Sequence, residues 1–362
     1  MKKRHLYITI IGLLVLHIGN SCVPLKEEVL IWNDPSTASD TLYQNPLFEP
    51  DLADPTVIRA NDGWFYAYGT ENEWAPGINR LTPIVHSKDL VHWEYVADAF
   101  ASMPSWKPNG YIWAPCIRFV NGTYYLYYAI SGWGDSNPGI GLATSVYPYG
   151  PFTDQGKIFD AASIGVSNCI DPMYIEDGSG RFKKRYLFFG SYAGIYGVEL
   201  STDMKTILPN TKFQIAGNGF EACYIYPKEG KYFFFGSNGN CCDGKDTKYH
   251  VTIAMAASIR GPYYTKTARD IIENGIEASP FLTGDITKGW VGPGHNGEII
   301  TDDTGHDYML YHAVSYTNPL LSNGATRRPL MMDEVIWDAN GWPTIANGVP
   351  SNILKRAPHF NK

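Results

Sequence analysis

Charge is scarce in this chain: 18% of its 362 residues are charged, against about a quarter in ordinary globular domains. Basic residues are outnumbered 29 to 36, and the formal net charge of −7 leaves no cationic footprint for nucleic acid. The six cysteines include no Cys-x-x-Cys pair, which argues against a structural zinc site. Apolar runs are short. The longest near the N-terminus, Leu6 to Leu16, is too brief to cross a bilayer core as a finished helix. No Pro-free helical pattern of useful length lies further on, which argues against βαβ units. What the chain does hold is 14% aromatic residues, among them 25 Tyr and 10 Trp, with 36 Gly and 24 Pro. So many aromatics beside so little charge exclude a disordered chain.

The N-terminus reads as an address. Lys2, Lys3 and Arg4 precede the apolar run, and residues 1–21 have the pattern of a secretory signal peptide. Ile18-Gly19-Asn20-Ser21-Cys22 resembles a bacterial lipoprotein cleavage site, with Gly19 where an aliphatic residue is usual. Lipidation of Cys22 and ordinary cleavage that leaves it free are both open. Residues 22–45 read as a tether and 46–362 as the folded domain. The expectation is an exported protein, membrane-anchored through that lipid, periplasmic or at the cell surface.

Five segments share one grammar: a short strand, a turn with Gly and Asn or Asp, then an aromatic strand. They open near Asp54, Ala114, Asp171, Glu221 and His295, and their second strands include Phe65-Tyr-Ala-Tyr68, Tyr124-Tyr-Leu-Tyr-Tyr128 and Tyr232-Phe-Phe-Phe235. Each is a β-hairpin signal. Several continue into a third strand, such as Ile140-Gly-Leu-Ala-Thr-Ser145. The spacing suits four-stranded blades and an all-β, five-bladed β-propeller. A two-sheet sandwich of similar composition is the alternative.

Equivalent positions of propeller repeats converge on one axis. Taken as unit-opening residues, Asp54, Cys116, Asp171, Glu221 and His295 would meet there. Three carboxylates held together in a partly buried funnel are electrostatically costly, and a purely structural design would avoid them. Two carboxyl groups in unlike environments can divide the cleavage of a glycosidic bond, one ionised to activate water and one protonated to donate to the leaving oxygen. Trp113 and Tyr192 are positioned as sugar-stacking aromatics, or as packing between blades.

These stretches resemble glycoside hydrolase family 43: Ala53-Asp54-Pro55, Trp113-Ala-Pro115, Ile170-Asp171-Pro172, Phe220-Glu221-Ala222, Gly292-Pro-Gly-His-Asn296 and Trp337-Asp-Ala-Asn-Gly-Trp-Pro343. The resemblance implies a propeller that hydrolyses glycosidic bonds with inversion. It implies Asp54 as general base, Glu221 as general acid, and Asp171 as the residue that orients the acid and tunes its pKa. It also implies His295 as a residue near the axis that, in the arabinan-cleaving members, helps hold calcium or another ion through water. Asn168-Cys-Ile-Asp-Pro172, Phe189-Gly-Ser-Tyr192 and Cys241-Cys-Asp-Gly244 look like the arabinan-cleaving branch, which adds Asn168 and Ser191 to the candidate substrate contacts.

The departures are Cys116, where an acid is usual, and Cys223, where a proline is usual. Arg327-Arg-Pro-Leu-Met-Met-Asp333 looks more like exo-acting members. The expected partner is an arabinan or other arabinose-bearing polysaccharide. An exo-acting arabinofuranosidase or β-xylosidase, and a surface glycan-binding lipoprotein without catalysis, are the alternatives. Cys116, Cys169 and Cys223 read as buried packing residues or as a small thiol cluster.

Overall fold

The repeat becomes a ring. In the computed structural model, which describes residues 42–361, five antiparallel blades follow one another in chain order. The first uses Thr56–Arg59, Phe65–Tyr68, Pro83–Ser87 and Glu94–Asp98. The second uses Tyr111–Val120, Thr123–Ser131, Gly139–Ser145 and Thr153–Asp160. The third uses Met173–Asp177, Lys184–Phe189, Ile195–Leu200 and Phe213–Ala216. The fourth uses Glu221–Lys228, Lys231–Asn238, His250–Ala256 and Ser279–Leu282. In the fifth, Trp290–Gly294 and Ile299–Thr301 both pair with Asp307–Ser315, followed by Leu330–Trp337 and Pro343–Ile345. The five-bladed propeller is therefore the fold, and the sandwich is excluded.

Turn chemistry sets the registers. Asn121 and Gly122 take φ of 49° and 84° between Val120 and Thr123, which pair directly. Two successive left-handed residues make the two-residue loop whose twist matches the strands it joins. The aromatic second strands then bury almost every side chain: Phe65, Tyr68, Tyr127, Tyr128, Phe188, Phe189, Phe234, Phe235 and Tyr311 are all fully enclosed. The core lies between blades. One cluster joins blades 1 and 2, a second joins 2 and 3, a third spans 3 to 5, and a fourth joins 5 back to 1.

Closure of the ring draws in residues expected to be tether. Leu42–Tyr43 pairs with Lys355–Arg356, and the buried Asn45 exchanges side-chain hydrogen bonds with the backbone of Met332. The folded domain thus begins by residue 42, not 46. The signal peptide 1–21, Cys22 and most of the tether lie outside the described residues.

A charged pair stitches the blades near the axis. Arg118 of blade 2 meets Glu298 of blade 5 at 2.6 Å and donates to the carbonyl of Tyr174 in blade 3 at 3.1 Å. Glu298 also accepts the N–H of Val57 and, at 3.1 Å, the hydroxyl of Thr56 in blade 1. Removing one member of such a pair leaves the other charge without compensation. Arg118→Met is expected to destabilise the fold by about 3 kcal/mol, and Arg118→Met/Glu298→Gln to recover part of that loss, read from urea-denaturation midpoints.

Candidate active site

Each blade's inner strand carries a kink at or near its axial end. Asp54, Ala114, Asp171, Ala222 and His295 have φ of 54°, 45°, 57°, 55° and 39°. Non-glycine residues in this left-handed region carry strain of about 1–3 kcal/mol each and persist only where the surroundings demand it. Five in register around one axis mark a shared device. In blades 1, 3 and 5 the kinked residue itself carries the functional group. In blade 4 the kinked residue is Ala222, and the carboxylate comes from Glu221 just before it.

This register corrects one expectation. Cys116 is not the blade 2 counterpart of Asp54; Ala114 is. Cys116 lies two residues down the strand, 4% exposed, packed with Tyr127, Cys169 and Tyr174 between blades 2 and 3. Its sulfur accepts the N–H of Tyr174 at 3.3 Å. Cys169 packs in the same cluster and Cys223 in the core of blades 3 to 5, so packing, not a thiol site, is what these residues do.

The other expected residues come together. Asp54, Asp171, Glu221, His295, Trp113, Asn168, Ser191 and Tyr192 all line one cavity of about 1100 Å³. That exceeds what a single small ligand needs. Trp133, 81% exposed, sits 5.8 Å from Trp113 ring to ring and extends the aromatic wall.

Donors surround Asp54. Arg328 approaches its two carboxylate oxygens at 2.9 and 3.2 Å, Thr70 donates at 2.6 Å, and Nδ1 of His295 stands 3.2 Å away. Burial alone would raise its pKa. The charge of Arg328, then that of His295, overrides burial and holds the carboxyl well below the usual range. Burial opposes the charged form of His295 too, but Asp54 and Asp171 outweigh it and raise the imidazole. His312 behaves differently. Fully buried, it accepts the N–H of Asp54 on Nδ1 at 3.1 Å, and burial drives its pKa down. It is neutral, so its 3.3 Å approach to the Asp54 carboxylate is not an ion pair.

Glu221 has the opposite surroundings. Burial and then the nearby charge of Asp171 push its pKa up, against hydrogen bonds from Tyr249 and Ser191, the latter at 2.8 Å. Burial also raises Asp171, which is eased by the charge of His295 and by the N–H of Ala222 at 3.0 Å. Of the two, Glu221 holds the proton: the charge of His295 acts on both, but it is the foremost influence easing Asp171 and the last of those easing Glu221, and Asp171 alone has the backbone donor.

Sequence reasoning missed Arg328, Thr70, Asp51 and Trp133. Asp51 is fully buried and accepts the N–H of Arg328 at 2.6 Å and the amide of Asn72 at 3.0 Å. Burial lifts Asp51 to about 6 despite Arg328. It positions the backbone from which Arg328 reaches Asp54. Thr70 accepts the N–H of Ala114 at 2.8 Å while donating to Asp54, and so ties blade 2's kink to blade 1's carboxylate. The one available signal was the Arg327-Arg-Pro run.

The ion expected at His295 is one held through water, not by a cage of side chains. Nδ1 of His295 faces Asp54, and among the described residues no three His, Cys, Asp or Glu side chains gather as metal ligands. Calcium takes six to eight oxygen ligands. Side chains alone do not supply that sphere, and an ion held through His295 would take most of its oxygens from water.

The model of the glycosyl hydrolases family 43 matches residues 43–343. The chain belongs to that family. It is a glycoside hydrolase. Among similar proteins, an extracellular exo-α-(1→5)-L-arabinofuranosidase of Cellvibrio japonicus is 30% identical over 82% of this chain and 86% of its own length. An extracellular endo-α-(1→5)-L-arabinanase of Bacillus subtilis is also 30% identical, over 81% of this chain and 87% of its own. The structure of Cellvibrio cellulosa α-L-arabinanase complexed with arabinohexaose superimposes with a TM-score of 0.69 at 28% identity, covering 83% of this chain and 96% of that one.

The raised pKa of Glu221 has a stability consequence. Between the unfolded and folded values, the folded protein keeps a proton that the unfolded chain has released. The stability tied to that proton is present at low pH and is lost as pH rises through the folded value. Glu221→Gln is expected to be about 1–3 kcal/mol more stable than wild type at pH 8 and little changed at pH 5, read by urea denaturation at both.

Proposed function

We propose that this family 43 enzyme hydrolyses α-1,5-linked arabinan, or arabinose-bearing plant polysaccharide, with inversion. The observation that carries the mechanism is the split between two carboxyl groups of one ring: Asp54 wrapped in donors, Glu221 buried beside another acid. Asp54 stays ionised and takes a proton from the water that attacks the anomeric carbon. Glu221 gives its proton to the departing glycosidic oxygen. Asp171 keeps that proton on Glu221 until it is needed and fixes the backbone at Ala222. Arg328 and Thr70 hold Asp54 ionised and oriented. Trp113, Trp133 and Tyr192 offer aromatic faces to sugar C–H surfaces, and Asn168 and Ser191 offer polar contacts in the same cavity. Relatives described as arabinan-acting support the substrate class, and they include both endo- and exo-acting enzymes. Product profiles on linear arabinan, set against aryl arabinofuranosides, separate those two modes.

Both of these relatives are described as extracellular, which supports export. The lipoprotein-like segment ending at Cys22 supports a lipid anchor, and Cys22→Ala would then shift the protein from the membrane to the soluble fraction.

Asp54→Asn and Glu221→Gln are each expected to lower kcat on arabinan by about three orders of magnitude or more, with the folded state retained. Near-normal turnover in both would sink the assignment, and so would first release of the retained anomer in deuterated water. Removing Arg328 takes away the main charge holding the Asp54 carboxyl low, so its pKa rises. The acidic limb of the kcat/KM profile should move to higher pH in Arg328→Gln, while the alkaline limb, set by Glu221, moves less.

A further inference from the structure

Cys241 and Cys242 are joined to each other by a disulfide. Disulfides stabilise chiefly by closing loops in the unfolded chain, and more so for longer loops. A bond between neighbours in sequence closes almost none, and a domain of this size does not need one to stand. Stability therefore does not explain the bond; its location offers another reason. Both cysteines are partly exposed, and both line the cavity that holds Glu221.

The loop that carries them is fastened on several sides. Gly244 donates its N–H to Thr326 at 3.0 Å, Thr247 donates its hydroxyl to the carbonyl of Asn240 at 2.5 Å, and Lys248 donates its N–H to the Asn240 side chain at 3.0 Å. The hydroxyl of Tyr192 donates to the carbonyl of Gly239. Tyr192 follows Ser191, whose hydroxyl donates to Glu221 at 2.8 Å. The disulfide loop and the acid thus share one supporting segment, and both belong to blade 4.

In glycosidic cleavage the acid stands at the leaving oxygen. A surface beside the acid meets the sugars that depart. Two bonded sulfurs, with no N–H or O–H between them, form a rigid, polarisable surface suited to C–H faces. We propose that the Cys241–Cys242 disulfide is a binding surface for the leaving portion of the arabinan chain. This rests on the reaction proposed above.

Michaelis constants for arabinotetraose and arabinohexaose, set against 4-nitrophenyl α-L-arabinofuranoside, test it in Cys241→Ala/Cys242→Ala and in wild type reduced with dithiothreitol. The expected result is a KM about tenfold higher on the oligosaccharides, with a smaller change on the aryl glycoside, which lacks the departing sugars. Reduction needs no substitution, so the test survives a variant that fails to fold. An unchanged KM on the oligosaccharides, or equal losses on both substrate types, overturns the proposal while leaving the hydrolase reading intact. Wild type inactive on the oligosaccharides removes both.

Discussion

Five left-handed residues, one in the inner segment of each blade, are the constraint on which the site depends. Such a backbone is unfavourable for a side chain with a Cβ. Repeated in each blade, it turns the strand so that what precedes the kink, or what sits on it, faces the axis. Asp54, Asp171 and His295 occupy the kink and Glu221 flanks it. Packing between blades holds the kinks in place. The buried aromatic second strands give each blade the rigid face against which its neighbour rests. Much of the chain's aromatic content is therefore structural, and the exposed Trp133 is an exception worth chemical attention.

Within that ring, two carboxyl groups acquire opposite characters from their neighbours alone. Asp54 gathers a guanidinium, an imidazole and a hydroxyl, and its own N–H is taken by a neutral His312. Glu221 gathers hydroxyls and the charge of Asp171. Desolvation acts on both, so the difference lies in the cations. Arg328 is the largest of these, and the buried Asp51 holds its backbone. The same arrangement that keeps Glu221 protonated burdens the fold at alkaline pH, a common exchange of stability for activity.

The limits of legibility follow the range of the interactions. The hairpin turns at Asn121-Gly122 and Glu229-Gly230 are set by adjacent residues, so they could be read along the chain. Asp54, Asp171, Glu221 and His295 were visible because they recur at matching places in a repeat. Cys116 was misplaced because the match was made on motif spelling: the kink falls on the alanine of Trp-Ala-Pro, two residues earlier. The tether was drawn four residues too long because Leu42–Tyr43 pairs with a strand at the far end of the chain.

The sequence by itself determined the strand-and-turn period, the number of blades, the family and the acids at their inner ends. All of these are local patterns that a repeat makes visible. Only the tertiary structure decided that Arg328, 274 residues away, is the cation on Asp54. It alone put Asp51 under Arg328, Thr70 between two blades and the Cys241–Cys242 bond on the wall of the cavity. These pairings arise where the ring closes blade 5 onto blade 1 and where loops from different blades meet, and no spacing along the chain encodes such a meeting.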